Sequence, residues 1–203
     1  MTNFIIHILF LYLYRQVKPN VSKKEFFSAL LKQSKNVGAV APSSKYLVKK
    51  MVDPIDFSKV KCIVEFGPGT GSITHELLNN MPKDAILLAF EINTEFCEML
   101  KQINDPRIKI ISDTAESLET YLKENNIGKV DYIVSSLPLA MIPNGVVRNI
   151  LAVVKKVLSP AGVFVQYQYS LNAYKKLRTT FKNVDVNFTP INIPPAFVFV
   201  CND

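Results

Sequence analysis

The sequence predicts an α/β protein: a seven-stranded sheet, mostly parallel and covered by helices, with an antiparallel last strand and a helical arm ahead of it. Three observations lead there. From residue 62 onward, short apolar runs alternate with segments of helical period, the pattern of a parallel sheet with its crossover helices laid over both faces. A glycine-rich turn, Gly67-Pro68-Gly69-Thr70-Gly71, joins the first of those runs to the first helix after it. The chain closes with two strand-like runs, residues 184–188 and 196–200, around the proline-bearing residues 190–195, which fit an antiparallel pair at the sheet edge.

Residues 1–52 are assigned to the arm and its loop, and residues 53–203 to the sheet domain. The run from Phe4 to Tyr14 is apolar almost all round, yet at eleven residues it falls short of the ~20 that a spanning helix needs. Its charges, Arg15 and Lys18, follow it, the reverse of a secretory signal. Interfacial anchoring, packing on the domain and an incorrectly assigned start are all open readings of it. Ser22-Lys23-Lys24-Glu25 is a capping box, with Val21 and Phe26 placed as a hydrophobic staple. On the helix that it starts, Phe26, Phe27, Leu30 and Leu31 share one side, while Glu25, Lys32 and Lys35 lie opposite. Such a helix either packs on the domain or lies on a membrane surface with Lys23, Lys24, Lys32 and Lys35 toward lipid headgroups.

The charge distribution favours the surface. The net charge is +7, with nine Lys or Arg against one acid before Asp53, and fifteen against sixteen from there on. A basic arm on a neutral body points to an anionic partner, either nucleic-acid phosphate or acidic lipid. The arm leads through a small-residue loop, residues 36–44, to a helix over residues 45–52. Strands are expected at residues 62–66, 85–91, 108–111, 131–135 and 162–169, and helices at 72–80, 94–102, 115–124, 144–158 and 171–181. With 203 residues and 48% hydrophobic content, the chain has enough apolar side chains for one core. Three cysteines, Cys62, Cys97 and Cys201, show neither paired nor metal-ligand spacing, so buried thiols are expected, with no disulfide and no metal site.

The chemistry is concentrated at the glycine turn. Glycines between a buried strand and a helix mark backbone that approaches a ligand and takes angles closed to other residues. A dinucleotide fingerprint would place its third glycine at position 72, where this chain has Ser72. Glu65, two residues before the first glycine, would repel a pyrophosphate but suits a ligand carrying an ammonium and a sulfonium, the charge pattern of S-adenosylmethionine (SAM). In an open parallel sheet the ligand lies beyond the carboxyl ends of the strands. There, Gly67, Gly69, Thr70 and Gly71 and the helix start are expected to hold the methionine carboxylate. Glu91 is placed for the ribose hydroxyls, Asp113 for the adenine amino group, and Ala115 beside the ring. Glu65 and Glu91 are expected as surface carboxylates that contribute ligand contacts rather than core.

With these residues in this order, residues 53–203 resemble the Rossmann-like class I SAM-dependent methyltransferases. Two families within that fold compete. In rRNA adenine dimethyltransferases the segment after the fourth strand reads Asn-Leu-Pro-Tyr, which holds and stacks a flipped base. This chain has Ser136-Leu137-Pro138-Leu139, without the amide and without the ring. The chain is more similar to bacterial phospholipid N-methyltransferases, which methylate phosphatidylethanolamine, and to ornithine-lipid N-methyltransferases. The resemblance is carried by Val37-Gly38-Ala39-Val40-Ala41-Pro42-Ser43-Ser44, by Ser135-Ser136-Leu137-Pro138-Leu139 and by Asn192-Ile193-Pro194-Pro195-Ala196, together with Glu65 to Gly71. It implies a peripheral enzyme on the cytoplasmic face of the membrane, with a lipid amine as substrate and no nucleic-acid partner. It further implies that Ser135, Ser136 and Pro138 orient the amine, Ser135 also bordering the cofactor. Methyl transfer from a sulfonium is an in-line displacement that asks mainly for alignment and a neutral amine. Tyr46, Tyr167 and Tyr169 are candidates to face a methylated ammonium, or are simply core tyrosines.

Overall fold

The computed structural model describes residues 44–192 and 194–203, and these belong to one compact unit that runs from Val40 to Asp203. The apolar run from Phe4 to Tyr14, the amphipathic helix with Lys23, Lys24, Phe26, Phe27, Leu30, Leu31, Lys32 and Lys35, and the loop residues up to Ser43 lie outside the described residues. Among the described residues, no helix is long and apolar enough to cross a membrane.

Helix α1, Lys45–Val52, starts at Ser44, whose hydroxyl accepts from the Leu47 N–H at 3.2 Å. Its apolar residues Leu47, Val48, Met51 and Val52 recur on one helical face and all are buried. They join Ile63, Leu77, Leu87, Val134 and Val165 in a single core cluster. On sequence this helix was grouped with the arm; its packing makes it part of the sheet domain.

The sheet strands are β1 (Cys62–Phe66), β2 (Ile86–Phe90), β3 (Ile108–Ile111), β4 (Val130–Ser135), β5 (Leu158–Gln168), β6 (Asn183–Thr189) and β7 (Ala196–Asn202). Their spatial order is β3-β2-β1-β4-β5-β7-β6. All neighbours from β3 to β5 pair in parallel, and β7 runs antiparallel to both β5 and β6. The expected seven strands and the single reversed last strand are thus observed. Between them lie α2 (Ser72–Asn80), α3 (Thr94–Leu100), α4 (Leu118–Glu124), α5 (Asn144–Val157) and α6 (Tyr174–Thr180). The helices expected at 115–124 and 171–181 each open with a 3-10 turn, Ala115–Ser117 and Leu171–Ala173.

Helices α1 and α2 pack together over the sheet face that carries Ile63, Leu87, Val134 and Val165. The opposite face meets α4, α5 and α6, with Phe90 edge-on to Tyr121 at 5.7 Å and Phe164 stacked on Phe181 at 5.7 Å. Strand β1 is central, and all five of its side chains are buried. All three cysteines are free and buried.

Candidate functional site

The predicted ligand residues meet at the carboxyl ends of β1, β2 and β4. Phe66 is in register with Phe90 on one side and with Ser135 on the other. One residue further on, the ladder still holds: Gly67 N–H donates to Phe90 O and Ser136 N–H to Phe66 O, both at 2.9 Å, and Glu91 N–H donates to Ile111 O at 3.0 Å. Gly67, Glu91 and Ser136 therefore stand in one row at the end of the sheet.

The glycine turn is built as its sequence requires. Gly67, Gly69 and Gly71 have φ of +68°, +58° and +86°, the left-handed region that a Cβ disfavours. Gly71 is the N-cap of α2 and supplies no side-chain cap, so the first N–H groups of that helix are left for a ligand. A Cβ on Gly69 would meet nothing within 4 Å, so this glycine borders open space. At Gly67, by contrast, a Cβ would lie 3.3 Å from Leu137 Cδ2, which places the loop after β4 directly against the turn.

Glu91, only 2% exposed, accepts from Gly69 N–H at 3.1 Å through Oε2 and from Asn93 N–H at 2.8 Å through Oε1. Burial raises its carboxyl above the usual range, and these backbone N–H groups work against that rise. It is a buried group that ties β2 to the glycine turn, not the surface carboxylate expected.

Glu65 also departs from expectation. It is fully buried on the α2 side of the central strand, where Thr74 Oγ1 donates to its Oε2 at 2.7 Å. Burial pushes its carboxyl up to about 8, with the nearby Glu91 charge adding to the rise. Its other oxygen, Oε1, has no partner. A carboxylate on a strand covered on both faces has no route to the surface, and it braces the turn through Thr74. Thr74 was missed on sequence because a helical threonine carries no signal by itself.

Asp113 is exposed at the rim, its Oδ1 accepting from Thr114 N–H at 2.7 Å, and Ala115 is buried beside it. Thr70 is exposed at the tip of the turn. After β4, Ser135 is buried, and its hydroxyl accepts from Leu137 N–H at 3.3 Å, so it shapes the loop. The Pro138 carbonyl accepts from Met141 and Ile142 N–H at 2.8 and 3.2 Å. Ser136 remains half-buried in the row with Gly67 and Glu91. Leu139, where a stacking ring would be wanted, is fully buried.

The three tyrosines are not gathered into a cage. Tyr167 packs against the core cluster and meets Tyr169 edge-on at 5.6 Å, while Tyr169 and Tyr46 are exposed. Two buried polar residues that sequence reading passed over, Gln166 and Gln168 on β5, reach the loop after β4 instead. Their signal was present in the alternation Gln166-Tyr167-Gln168-Tyr169, polar at period two within an apolar strand.

The fit to SAM rests on an open cradle at Gly69, uncapped N–H groups at α2 and the Glu91 carboxyl held against the turn at Gly69. Bound there, SAM supplies an electrophilic methyl group on sulfur.

Known proteins place the chain accordingly. Residues 63–162 match the model of a methyltransferase domain. An ornithine lipid N-methyltransferase of Singulisphaera acidiphila is 30% identical over 184 residues, 88% of this chain and 96% of that protein. A ribosomal RNA small subunit methyltransferase A of a Sulfurihydrogenibium species is 43% identical over 72 residues, which is 36% of this chain and 27% of that one. Among solved structures, magnesium protoporphyrin IX methyltransferase from Synechocystis with bound SAM superposes with a TM-score of 0.58 at 11% identity, covering 92% of this chain and 87% of that one. A glycine turn shaped for a ligand, on a sheet of this order, in a chain alike to an N-methyltransferase along nearly its whole length, has one reading: the protein is a member of the class I SAM-dependent methyltransferases.

Proposed function

We propose that this methyltransferase transfers methyl groups from SAM to the amine of a membrane-lipid headgroup, an ornithine lipid or a phosphatidylethanolamine-like lipid. The observation that carries the reading is the loop after β4. A base methylated at its exocyclic amine needs a flat partner to stack on. Here Leu139 is aliphatic and fully buried, so the loop offers no ring at that place. The similarity to an ornithine lipid N-methyltransferase extends over 88% of the chain and 96% of that protein, whereas matches to rRNA methyltransferases cover 36–61% of the chain and 27–42% of those proteins.

In this reading, Glu91 receives the ribose hydroxyls, and Gly69, Thr70 and the start of α2 hold the carboxylate of the cofactor. Asp113 and Ala115 border the adenine. Ser136 orients the amine so that its lone pair faces the methyl group. The amine must arrive neutral, and an alkyl ammonium has a pKa near ~10, so the site favours its deprotonated form or its proton leaves to water before transfer. Tyr169 and Tyr46, exposed on the side of α1, are the aromatic faces available to a methylated ammonium. The basic arm, with Lys23, Lys24, Lys32 and Lys35 beside Phe26, Phe27, Leu30 and Leu31, brings the enzyme to the anionic cytoplasmic face of the membrane without crossing it.

The test is a transfer assay with labelled SAM and three acceptors: ornithine-lipid vesicles, phosphatidylethanolamine vesicles and rRNA. Label is expected in lipid. Label in RNA alone would overturn the proposal.

A further inference from the structure

We propose that Gln166 and Gln168 are positioning residues for methyl transfer, a pair of amides that clamps the Leu137 carbonyl and so fixes the loop on which the substrate amine is oriented. The inference rests on the reading of that loop given above. The two glutamines are two residues apart on β5, which puts them on the same sheet face. Ser135, the last residue of β4, is in register with Gln166. Gln166 Nε2 donates to Leu137 O at 3.1 Å and to Tyr167 O at 2.6 Å. Gln168 Nε2 donates to the same two carbonyls, each at 2.7 Å. Gln168 Oε1 then accepts from Ala140 N–H at 3.4 Å. The clamp therefore grips the loop at both Leu137 and Ala140.

Two consequences connect this clamp to the reaction. The Leu137 side chain abuts Gly67, so a shift of the loop would be felt at the cofactor turn. The Leu137 carbonyl also accepts from Leu139 N–H at 2.8 Å, and the Pro138 carbonyl is taken by Met141 and Ile142. With both carbonyls spent on holding the loop, the orienting of an amine falls to Ser136, whose place is set by what grips its neighbour.

The clamp is also costly in a way that packing alone would not select. Gln166 is fully buried, and its Oε1 has no partner. Both acceptors, Leu137 O and Tyr167 O, claim its NH2 group, so the amide cannot turn to satisfy its oxygen without releasing the loop. A buried orphan acceptor destabilises the fold, and an apolar side chain of the same length would not carry that penalty.

The experiment compares Gln166→Met, Gln168→Met and the double variant in the full chain. The readouts are melting temperature, SAM affinity by calorimetry, methyl transfer to ornithine-lipid or phosphatidylethanolamine vesicles, and hydrogen exchange of residues 136–142. Gln166→Met is expected to melt at or above the wild-type temperature and still lose about threefold in kcat. Each single variant leaves Leu137 O one amide, so the double variant should lose at least tenfold more than the product of the singles, because contacts to one shared acceptor are not additive. SAM affinity should stay within threefold throughout, and exchange over 136–142 should quicken at least tenfold in the double variant while β1 is unchanged. Rates that fall only in step with melting temperature and SAM affinity, or unchanged exchange in the double variant, would overturn the clamp. Wild-type protein inactive on every lipid would strike the functional reading alone, and the exchange measurement would still decide the clamp.

Discussion

The backbone N–H of Ser44 donates to Asn192 Oδ1 at 3.3 Å, joining residues 148 positions apart in the chain. Asn192 is buried, and its Nδ2 donates onward to Pro194 O at 2.7 Å. This hydrogen bond joins the last residue of one stretch that carries the resemblance to lipid methyltransferases, Ser44, to the first residue of another, Asn192. It ties the cap of α1 to the turn between β6 and β7. Asn192→Ala should cost about 1–2 kcal/mol, the price of a buried bond lost with its partners stranded. Thermal melting checks this, with a drop of roughly 2–8 °C expected.

Glu65 gives the fold a pH dependence of unusual sign. Its folded pKa, about 8, lies above the ordinary value of 4.5, so the folded state holds the proton more tightly than the unfolded one. Its contribution to stability is complete below pH 4.5 and is lost as the pH rises to 8, at up to about 1.4 kcal/mol per pH unit. Asp105 and Glu119, both held down to about 2 by hydrogen bonds from their cationic partners, act in the opposite sense only at lower pH. Denaturant melts between pH 5 and 8.5 should show stability falling, and Glu65→Gln should flatten that slope. An equally steep slope in the variant would remove Glu65 as its source.

Glu91 and Gly69 separate ligand binding from folding. Glu91→Gln keeps one carbonyl oxygen for backbone N–H groups, so the domain should stay folded while SAM affinity drops at least tenfold. Gly69→Val should lose SAM binding altogether. Its φ of +58° makes any side chain strained by about 1–2 kcal/mol, but a Cβ there meets no protein atom within 4 Å. Calorimetry with SAM beside circular dichroism distinguishes the two effects; Gly69→Val binding SAM normally would refute the cradle.

The basic arm should govern membrane recruitment. Several lysines near an anionic surface contribute about 1 kcal/mol each, and burial of Phe26, Phe27, Leu30 and Leu31 adds an apolar contribution that salt does not screen. Sedimentation with acidic vesicles should weaken as salt rises without vanishing. Deleting residues 1–35 should abolish it and leave SAM affinity within twofold.

The sheet was legible because its signals are local and repeated. Apolar runs gave each strand to within a few residues, and the three glycines marked the turn before any angle was measured. The depth of the site was not legible. Glu65 reads as an exposed acid two residues before a glycine, and only the position of β1 between β2 and β4 shows that no water reaches it. Ser135 and Ser136 are adjacent and chemically alike, yet one turns into the sheet and the other joins the row of site residues. That difference comes from where the strand ends, the least certain quantity in a sequence. Asn192 and Ser44 could not be paired in advance either, since their contact depends on a turn closing over a helix 148 residues earlier.

The buried cysteines make the protein a quiet background for labelling. Burial pushes the Cys62 and Cys201 thiols up to about 12, and Cys97 is raised as well, with its Sγ donating to Glu91 O at 3.3 Å. Thiolate is the reactive form, so a maleimide or disulfide reagent has almost none to attack in the folded state. Native protein should titrate no thiol with a chromogenic disulfide, and all three should appear in denaturant. A single cysteine placed on the arm, beside rather than at its lysines, would then carry a fluorophore or spin label alone, and approach to a bilayer could be followed without first replacing a native cysteine.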